Sequence, residues 1–521
     1  MEYKKNDDEM MEVSTAKPIE EVEDDLDAAA TITSNREREK KLIRKIDIQL
    51  LPILFLMLIA AFLDRINIGN ARLFGLEADL NMQGDQFNIA LFVFFIPYIL
   101  CELPANIILK NLKPHIWLAT MIVGFGKRYN LLHLSRSTAV TVLLLIRGEN
   151  IGIVTICQGL TRSFGGLVAC RFFIGAFEAG FFPGSLYLIS MYYKRYHVQT
   201  RLTFYWSAGV YAGGFSGLLA YGIGHMDGVG GYRAWRWIFL LEGAATVLIG
   251  ILAFLIIPDW PETAKFLKQE ERALLLSTLH EDSGPAVMNR LDKKAMKRAF
   301  SDWKIYLGFF MSLAWSAAAY SLALFTPTLL NGFGWSPLRT QVMTIPVFVV
   351  GGTLSIVIAM LSDYAKHRFW FIIALYLGTL LSIVIMFTGA RVSIGVRYMA
   401  VFFLGTCSPT GTSLAVGWIN NNMGGHYKRS IGVAIQVGFA NLGGIIASNI
   451  FLRREAPYFR TAFSVLIGIV CMGICVAVIL VLLLVRENRK RDKGERDHRL
   501  QLPEDERDNL GDDHPAFRMI Y

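Results

Sequence analysis

Charge is scarce in this sequence. Asp, Glu, Lys and Arg make up 18% of its 521 residues, where a soluble domain carries about 25%. Histidine is scarcer, at nine residues, and His115, His197, His367 and His426 are scattered among polar connections. That scatter leaves no histidine–carboxylate cluster of the kind an integral-membrane enzyme needs. No Walker A sequence, dinucleotide fingerprint, H-E-x-x-H or nucleophile elbow stands in a suitable context. ATP-driven work is therefore unsupported, no cofactor is implied, and any energy input has to come from an ion or solute gradient. Cysteine is limited to Cys101, Cys157, Cys170, Cys407, Cys471 and Cys475, all within apolar stretches. Cys471 and Cys475 share a helix face, but no histidine is near in sequence, so they read as small packing residues rather than a metal or disulfide site. The net charge of +9 is not arranged as a nucleic-acid platform, because no segment alternates aromatics with lysines. No cleavable leader is expected from residues 1–45, which are polar, start with an acidic stretch from Asp7 to Asp27, and lack an apolar core with a small-residue cleavage site.

What the chain has instead is apolar length. Hydrophobic residues reach 53% and the mean hydropathy is +0.41. They gather in runs long enough to cross a bilayer, which takes about 20 residues per helix. Twelve spans are expected, at roughly 46–69, 87–109, 114–126 continuing at 153–161, 167–192, 202–223, 236–257, 304–329, 341–361, 369–388, 397–419, 431–451 and 462–485. This predicts an all-α integral membrane protein with about twelve transmembrane helices in two six-helix halves, 46–258 and 303–485. A disordered N-tail (1–45), a central loop (259–302) and a C-tail (486–521) complete the expected organisation. In the central loop, Pro261 and Glu262 suit a first helical turn, and E-E-R-A-L-L-L reads as a surface helix.

Lysine sets the expected orientation. The odd-numbered loops carry none, whereas the even-numbered loops hold Lys110, Lys113, Lys194, Lys366 and Lys428. Arg36 to Lys45 and Arg486 to Lys493 flank the first and last spans. By the positive-inside rule both termini are cytoplasmic. The third span is interrupted by residues 127–152, which would put Lys127, Arg128, Arg136, Arg147 and Glu149 into hydrocarbon, at about 2.5–3.5 kcal/mol each. Its own apolar stretch, Thr138 to Ile146, is too short to cross. The segment reads as a retained-intron insertion; the alternative is a genuine insertion looping into water.

Charges inside spans are costly and are functional candidates by default. Span one offers Asp64, Arg65 and Asn67 in L-D-R-I-N-I-G-N. As helix neighbours, Asp64 and Arg65 point in different directions and cannot simply pair. Span four offers Arg171 and Glu178, seven residues apart and so on one face. Arg171 has two readings, a substrate or proton-coupling charge and an ion pair or carbonyl cap that pins spans together. Glu102 and Glu242 read as structural. In the second half, Tyr320, Gln436 and Asn441 are polar candidates, each with a packing or interhelical hydrogen-bond reading beside it.

These motifs resemble the major facilitator superfamily, whose fold is two six-helix halves rocking around a midplane site. The loop L-S-D-Y-A-K-H-R is similar to the superfamily's loop motif, which implies a cytoplasmic gate at Asp363, Lys366 and Arg368. The matching loop L-K-N-L-K-P-H keeps Lys110 and Lys113 but lacks the acidic residue. More narrowly, L-D-R-I-N-I-G-N-A-R, E-L-P-A-N-I-I-L-K, R-F-F-I-G-A-F-E-A-G-F-F-P-G, Y-L-I-S-M-Y-Y-K-R, M-D-G-V-G-G-Y and W-P-E-T-A-K-F-L resemble the fungal allantoate permease family of anion:cation symporters. The resemblance covers residues 45–485 except 127–152. It implies proton-coupled symport of a small organic anion, either a ureide such as allantoate or a carboxylate such as nicotinate or pantothenate, by a monomer in the plasma membrane. Arg171 or Arg65 would meet the anion, and Asp64 or Glu178 would carry the proton. The rival expectations are a non-transporting nutrient sensor on the same scaffold and an inactive product disrupted in span three.

Overall fold

A computed structural model describes residues 19–109, 114, 118, 151–283, 300–365, 367–424, 426–501, 503 and 511–521. Among them there is no strand. The helices are α1 (Ile19–Leu73), α2 (Leu76–Asp79), α3 (Gln86–Leu109), α4 (Ile151–Leu160), α5 (Phe164–Glu178), α6 (Phe181–Tyr192), α7 (Arg195–Gly224) and α8 (Ala234–Ile256), then α9 (Gln269–Ser283) in the central loop. The second half holds α10 (Trp303–Asn331), α11 (Pro337–Ala365), α12 (Arg368–Thr388), α13 (Ile394–Asn421), α14 (His426–Ala440), α15 (Leu442–Ile450) and α16 (Arg460–Asp492). Each of the twelve expected spans has a helical counterpart, the third only in α4. Residues 127–150 of the suspected insertion lie outside the described residues, while Ile151 and Gly152 form the start of α4.

Among the described residues, eight helices are long and apolar enough to cross a membrane. Several are apolar on all sides. In Pro337–Ser362, with a hydropathy of 2.2, only 28% of the most apolar window is buried inside the protein. Such a surface is stable against lipid and not against water. Two spans, the fourth and the eleventh, are interrupted, for traceable reasons. Span four breaks between α5 and α6 at Gly180, and Pro183 sits in the first turn of α6, where no amide donor is required. Span eleven breaks at Asn441, between α14 and α15.

Without a hydrophobic force to join helices inside lipid, close packing depends on small residues. Gly175 of α5 sits against the carbonyl of Phe94 in α3, and Gly243 of α8 against that of Gly152 in α4. The two halves, α1–α8 and α10–α16, meet along three seams: α1 with α10, α3 with α15, and α7 with α11. The α7–α11 seam is glycine-lined, Gly213 beneath Phe348 and Gly217 beneath Thr344.

Three expectations change. The N-terminal tail does not stay irregular up to residue 45: α1 starts at Ile19, and its extension is held by Lys194–Glu39 (2.7 Å), Lys45–Glu271 (2.6 Å) and Arg201–Asp47 (2.9 Å). In the central loop, Pro261 and Glu262 lie in a turn closed by Thr263 N donating to Trp260 O; the surface helix begins only at Gln269, with Glu271 accepting from Lys268 N. Cys471 and Cys475 are exposed on α16 rather than packed between helices.

Candidate functional site

Between the halves lies a cavity of about 190 Å³. Its walls are mainly aromatic and aliphatic, with Phe62, Phe182, Trp206 and Phe348 prominent. Its polar groups form a chain that crosses from one half to the other. Arg65 Nη2 donates to Glu178 Oε1 at 2.5 Å, and Arg65 Nη1 donates to the Tyr320 hydroxyl at 2.7 Å. That hydroxyl donates in turn to Asn441 Oδ1 at 2.7 Å. The Arg65 and Glu178 side chains are 4% and 2% exposed, so this is a desolvated ion pair on a cavity wall. The guanidinium also stands within 5.1 Å of the ring centres of Phe62, Phe94 and Tyr98, and their electron-rich faces favour the cation.

Local sequence explains the placement. The break after Glu178 turns the chain at Ala179–Gly180, so the carboxylate ends its helix facing α1 rather than lipid. Asn441 occupies the break of span eleven and bonds the carbonyls of Val437 and Gly438. Gln436 also lines the cavity, and neither end of its amide has a hydrogen-bond partner among the described residues.

The other candidates on span one face away. Thr246 of α8 donates to Asp64 Oδ2 (3.2 Å). Asn67 bonds Glu242 of α8, and its Oδ1 accepts from Asn70 (2.9 Å) and from Ser216 of α7 (2.5 Å). These residues make a second polar knot joining α1 to α7 and α8. Arg171 lines neither group of side chains. Fully buried, it donates to the main-chain carbonyls of Asp64 (3.1 Å) and Arg65 (3.2 Å), fixing the backbone from which Arg65 projects. The cavity thus gathers Arg65, Glu178, Tyr320, Gln436 and Asn441, and does not gather Asp64, Asn67 or Arg171. It also uses Phe62, Trp206, Phe182 and Phe348, which sequence reasoning missed; aromatics at helical spacing look alike whether they pack or line a cavity.

Of the expected gate, Lys110, Lys113 and Lys366 lie outside the described residues. Asp363 lies in the last turn of α11, and Arg368, first residue of α12, lies against Gly417 of α13. The end of the molecule away from Lys304 and Lys428 is sealed. There Glu77 pairs with Arg72 (2.8 Å) and, from the other half, Arg453 (3.6 Å). Asn88 donates to Phe451 O (3.1 Å), and Gly69 sits beneath the Leu324 carbonyl. The lining reaches the other way, to Thr203, Ala359 and Val416. Among the described residues no three His, Cys, Asp or Glu gather as a metal set.

A family model described as Major Facilitator Superfamily matches residues 53–448. The chain is similar to an uncharacterized transporter, C1002.16c, of Schizosaccharomyces pombe, 32% identical over 89% of this chain and 87% of the relative. It is also similar to the major facilitator-type transporter hxnP of Emericella nidulans, 31% identical over 88% of each chain. Among solved structures it resembles a D-xylose–proton symporter (TM-score 0.60, 15% identity, 83% of this chain and 97% of that one). It resembles equally an inward-facing, occupied bacterial homologue of the human lysosomal transporter Spinster (TM-score 0.60, 14% identity, 83% and 95%). At these identities the structures speak for the fold alone.

Proposed function

Taking as premise that the chain belongs to the Major Facilitator Superfamily, and is a membrane transporter rather than an enzyme, we propose that it carries a small organic anion together with a proton by alternating access. The observation that carries this is the Arg65–Glu178 pair on the cavity wall. Arg65 is the cation of the cavity, and Glu178 neutralises it. When Glu178 takes up a proton, the pair is left with a net positive charge in a site shielded from water. A substrate carboxylate then replaces the lost negative charge through charge-assisted hydrogen bonds to the guanidinium. Proton and anion enter together because each alone leaves an uncompensated charge. Releasing the anion restores the pair once Glu178 gives up its proton.

Of the two arginines considered for the anion, Arg65 is the better placed, because Arg171 is committed to main-chain carbonyls. Tyr320 and Asn441 extend the site into the second half, and Gln436 offers a free amide to a polar substituent. The aromatic walls suit a compact, partly planar body, consistent with the ureides and vitamin-like carboxylates of the allantoate permease family. One chain forms the whole cavity, which supports a monomer. The lysine distribution supports cytoplasmic termini in the plasma membrane, with the open end of the cavity facing the cytoplasm.

The test is uptake of radiolabelled ureides and small carboxylates into a transporter-deficient fungus, with and without an inward proton gradient. A substrate should emerge whose uptake needs the gradient and disappears in Arg65→Ala. Undiminished, gradient-dependent uptake by that variant would sink the assignment.

A further inference from the structure

The segment 511–521, the end of the expected C-tail, is seated in a socket. Asp512 is 1% exposed. Its carboxylate receives Lys304 Nζ from the start of α10, Lys428 Nζ from the start of α14 (2.8 and 2.9 Å), and the amide of Gly424 (3.1 Å). Asp302, the N-cap of α10, completes the cluster by pairing with Lys428 (2.5 Å) and Lys304 (3.3 Å). Arg491, at the end of α16, donates to the carbonyls of Asp512 (2.8 Å) and Phe517 (2.6 Å).

Two asparagines then bind the segment's main chain in the manner of a base pair. Asn422, at the end of α13, both donates to Ile520 O and accepts from Ile520 N, each at 2.8 Å, and Trp418 adds its indole N–H at 2.9 Å. Asn488 does the same to Met519, at 2.9 Å each way. Gly424 leaves room for the segment, since a Cβ there would overlap the Asp512 amide.

The socket therefore ties together the same-side ends of α10, α13, α14 and α16. Three of these helices, α10, α13 and α14, also line the cavity, α10 through Tyr320 and the other two through Ser413, Val416 and Gln436. For the open mouth to close, the ends of α13 and α14 would move inward relative to the tied ends of α10 and α16. α13 contains Pro409, and span eleven breaks at Asn441, so both have a joint above the tied end. We propose that residues 511–521 are a self-ligand that clasps this end of the second half and holds the mouth open, and that release of the strap permits closure. Without Asp512, two ammonium groups less than a tenth exposed share one carboxylate, a configuration that expels the strap.

The experiment uses the full chain in nanodiscs, with its six native cysteines replaced by alanine and Ser413→Cys introduced as a reporter of the mouth. Asp512→Asn should speed tryptic cleavage after Arg518 by about tenfold or more, and slow alkylation of the reporter by a water-soluble maleimide severalfold. Ile520→Pro, which removes the amide that Asn422 accepts and leaves every charge in place, should do the same. If the first variant does not fold, the second carries the test. Adding the peptide GDDHPAFRMIY to a chain lacking 511–521 should restore fast alkylation, and the same peptide with Lys in place of Asp512 should not. Equal cleavage of the parent chain and both variants would show that no strap is docked. Faster cleavage with unchanged alkylation would show that the strap does not govern the mouth. These readouts need no substrate, so they stand apart from the choice of cargo.

Discussion

Arg65 and Glu178 meet at 2.5 Å, and the second carboxylate oxygen of Glu178, Oε2, has no hydrogen-bond partner among the described residues. An ion pair that uses half of its carboxylate is poised for exchange: a proton can take the free oxygen while the guanidinium turns to another anion. Glu178→Gln imitates the protonated state permanently. It should bind substrate and catalyse exchange between substrate pools on both sides, yet fail to accumulate substrate against a gradient. Counterflow and net uptake, measured on the same proteoliposomes, check this; accumulation by the Gln variant would remove Glu178 from the coupling step.

Arg171 should behave differently from Arg65. Its two hydrogen bonds go to carbonyls, so Arg171→Lys, which cannot span both, should lower thermal stability by about 1.5–3 kcal/mol. Substrate affinity of the molecules that fold should change little. A thermal melt beside a binding isotherm separates the two; a large loss of affinity at unchanged stability would return Arg171 to the substrate site.

The sealed end makes a contrast between backbone contact and charge. A Cβ on Gly69 would stand 2.5 Å from the Leu324 carbonyl oxygen, so Gly69→Ala should keep that end from closing and trap the outward-open form. Arg453 is 52% exposed and lies 3.6 Å from Glu77, a pair worth about 1 kcal/mol at most. Arg453→Ala should therefore shift the equilibrium by only a few-fold. Labelling of a cysteine introduced near Asn88 from the outer face reports both.

The strap has a defined response to acid. Burial alone would raise the Asp512 carboxyl, but Lys304 and Lys428 outweigh it and hold it below its ordinary value of 3.8. A group depressed in the docked state stabilises docking fully above its free value, and the contribution is lost as pH falls through the docked one. Protection of Arg518 from protease digestion, read with an acid-tolerant enzyme by mapping cleavage products, should be unchanged from pH 7 to 5 and should fail only below about pH 4.

The interruption of span three has a simple check at the level of the message. Gly152 packs against Gly243 and Val247 of α8, so the position before Ile153 needs a residue without a side chain. Joining Gly126 directly to Ile153 places a glycine there again. The spliced transcript is expected to lack the codons for 127–152; a mature message that retains them refutes the retained-intron reading.

Much of this architecture is legible in the chain because lipid imposes a single rule on every span. Which buried charge faces the cavity is not legible in the same way. Asp64 and Arg65 are equally unusual in sequence, and only the positions of α5 and α8 decide that Arg65 meets the cavity while Asp64 turns to Thr246. The aromatic lining was lost among ordinary packing residues for the same reason. The strap was hidden by distance: Asp512 finds Lys304 and Lys428 across 208 and 84 residues, and nothing in its own short sequence names those partners.

Tyr320 gives the cavity a direction. Its hydroxyl accepts from the first half and donates to the second, so the order of donors runs one way, from Arg65 to Asn441. If Arg65 turns to an arriving anion, the phenol loses the bond it accepts and keeps the one it donates. Its O–H stretch, isolated by isotope-labelled tyrosine, should then shift with occupancy, making one vibrational band a reading of whether the carrier is loaded.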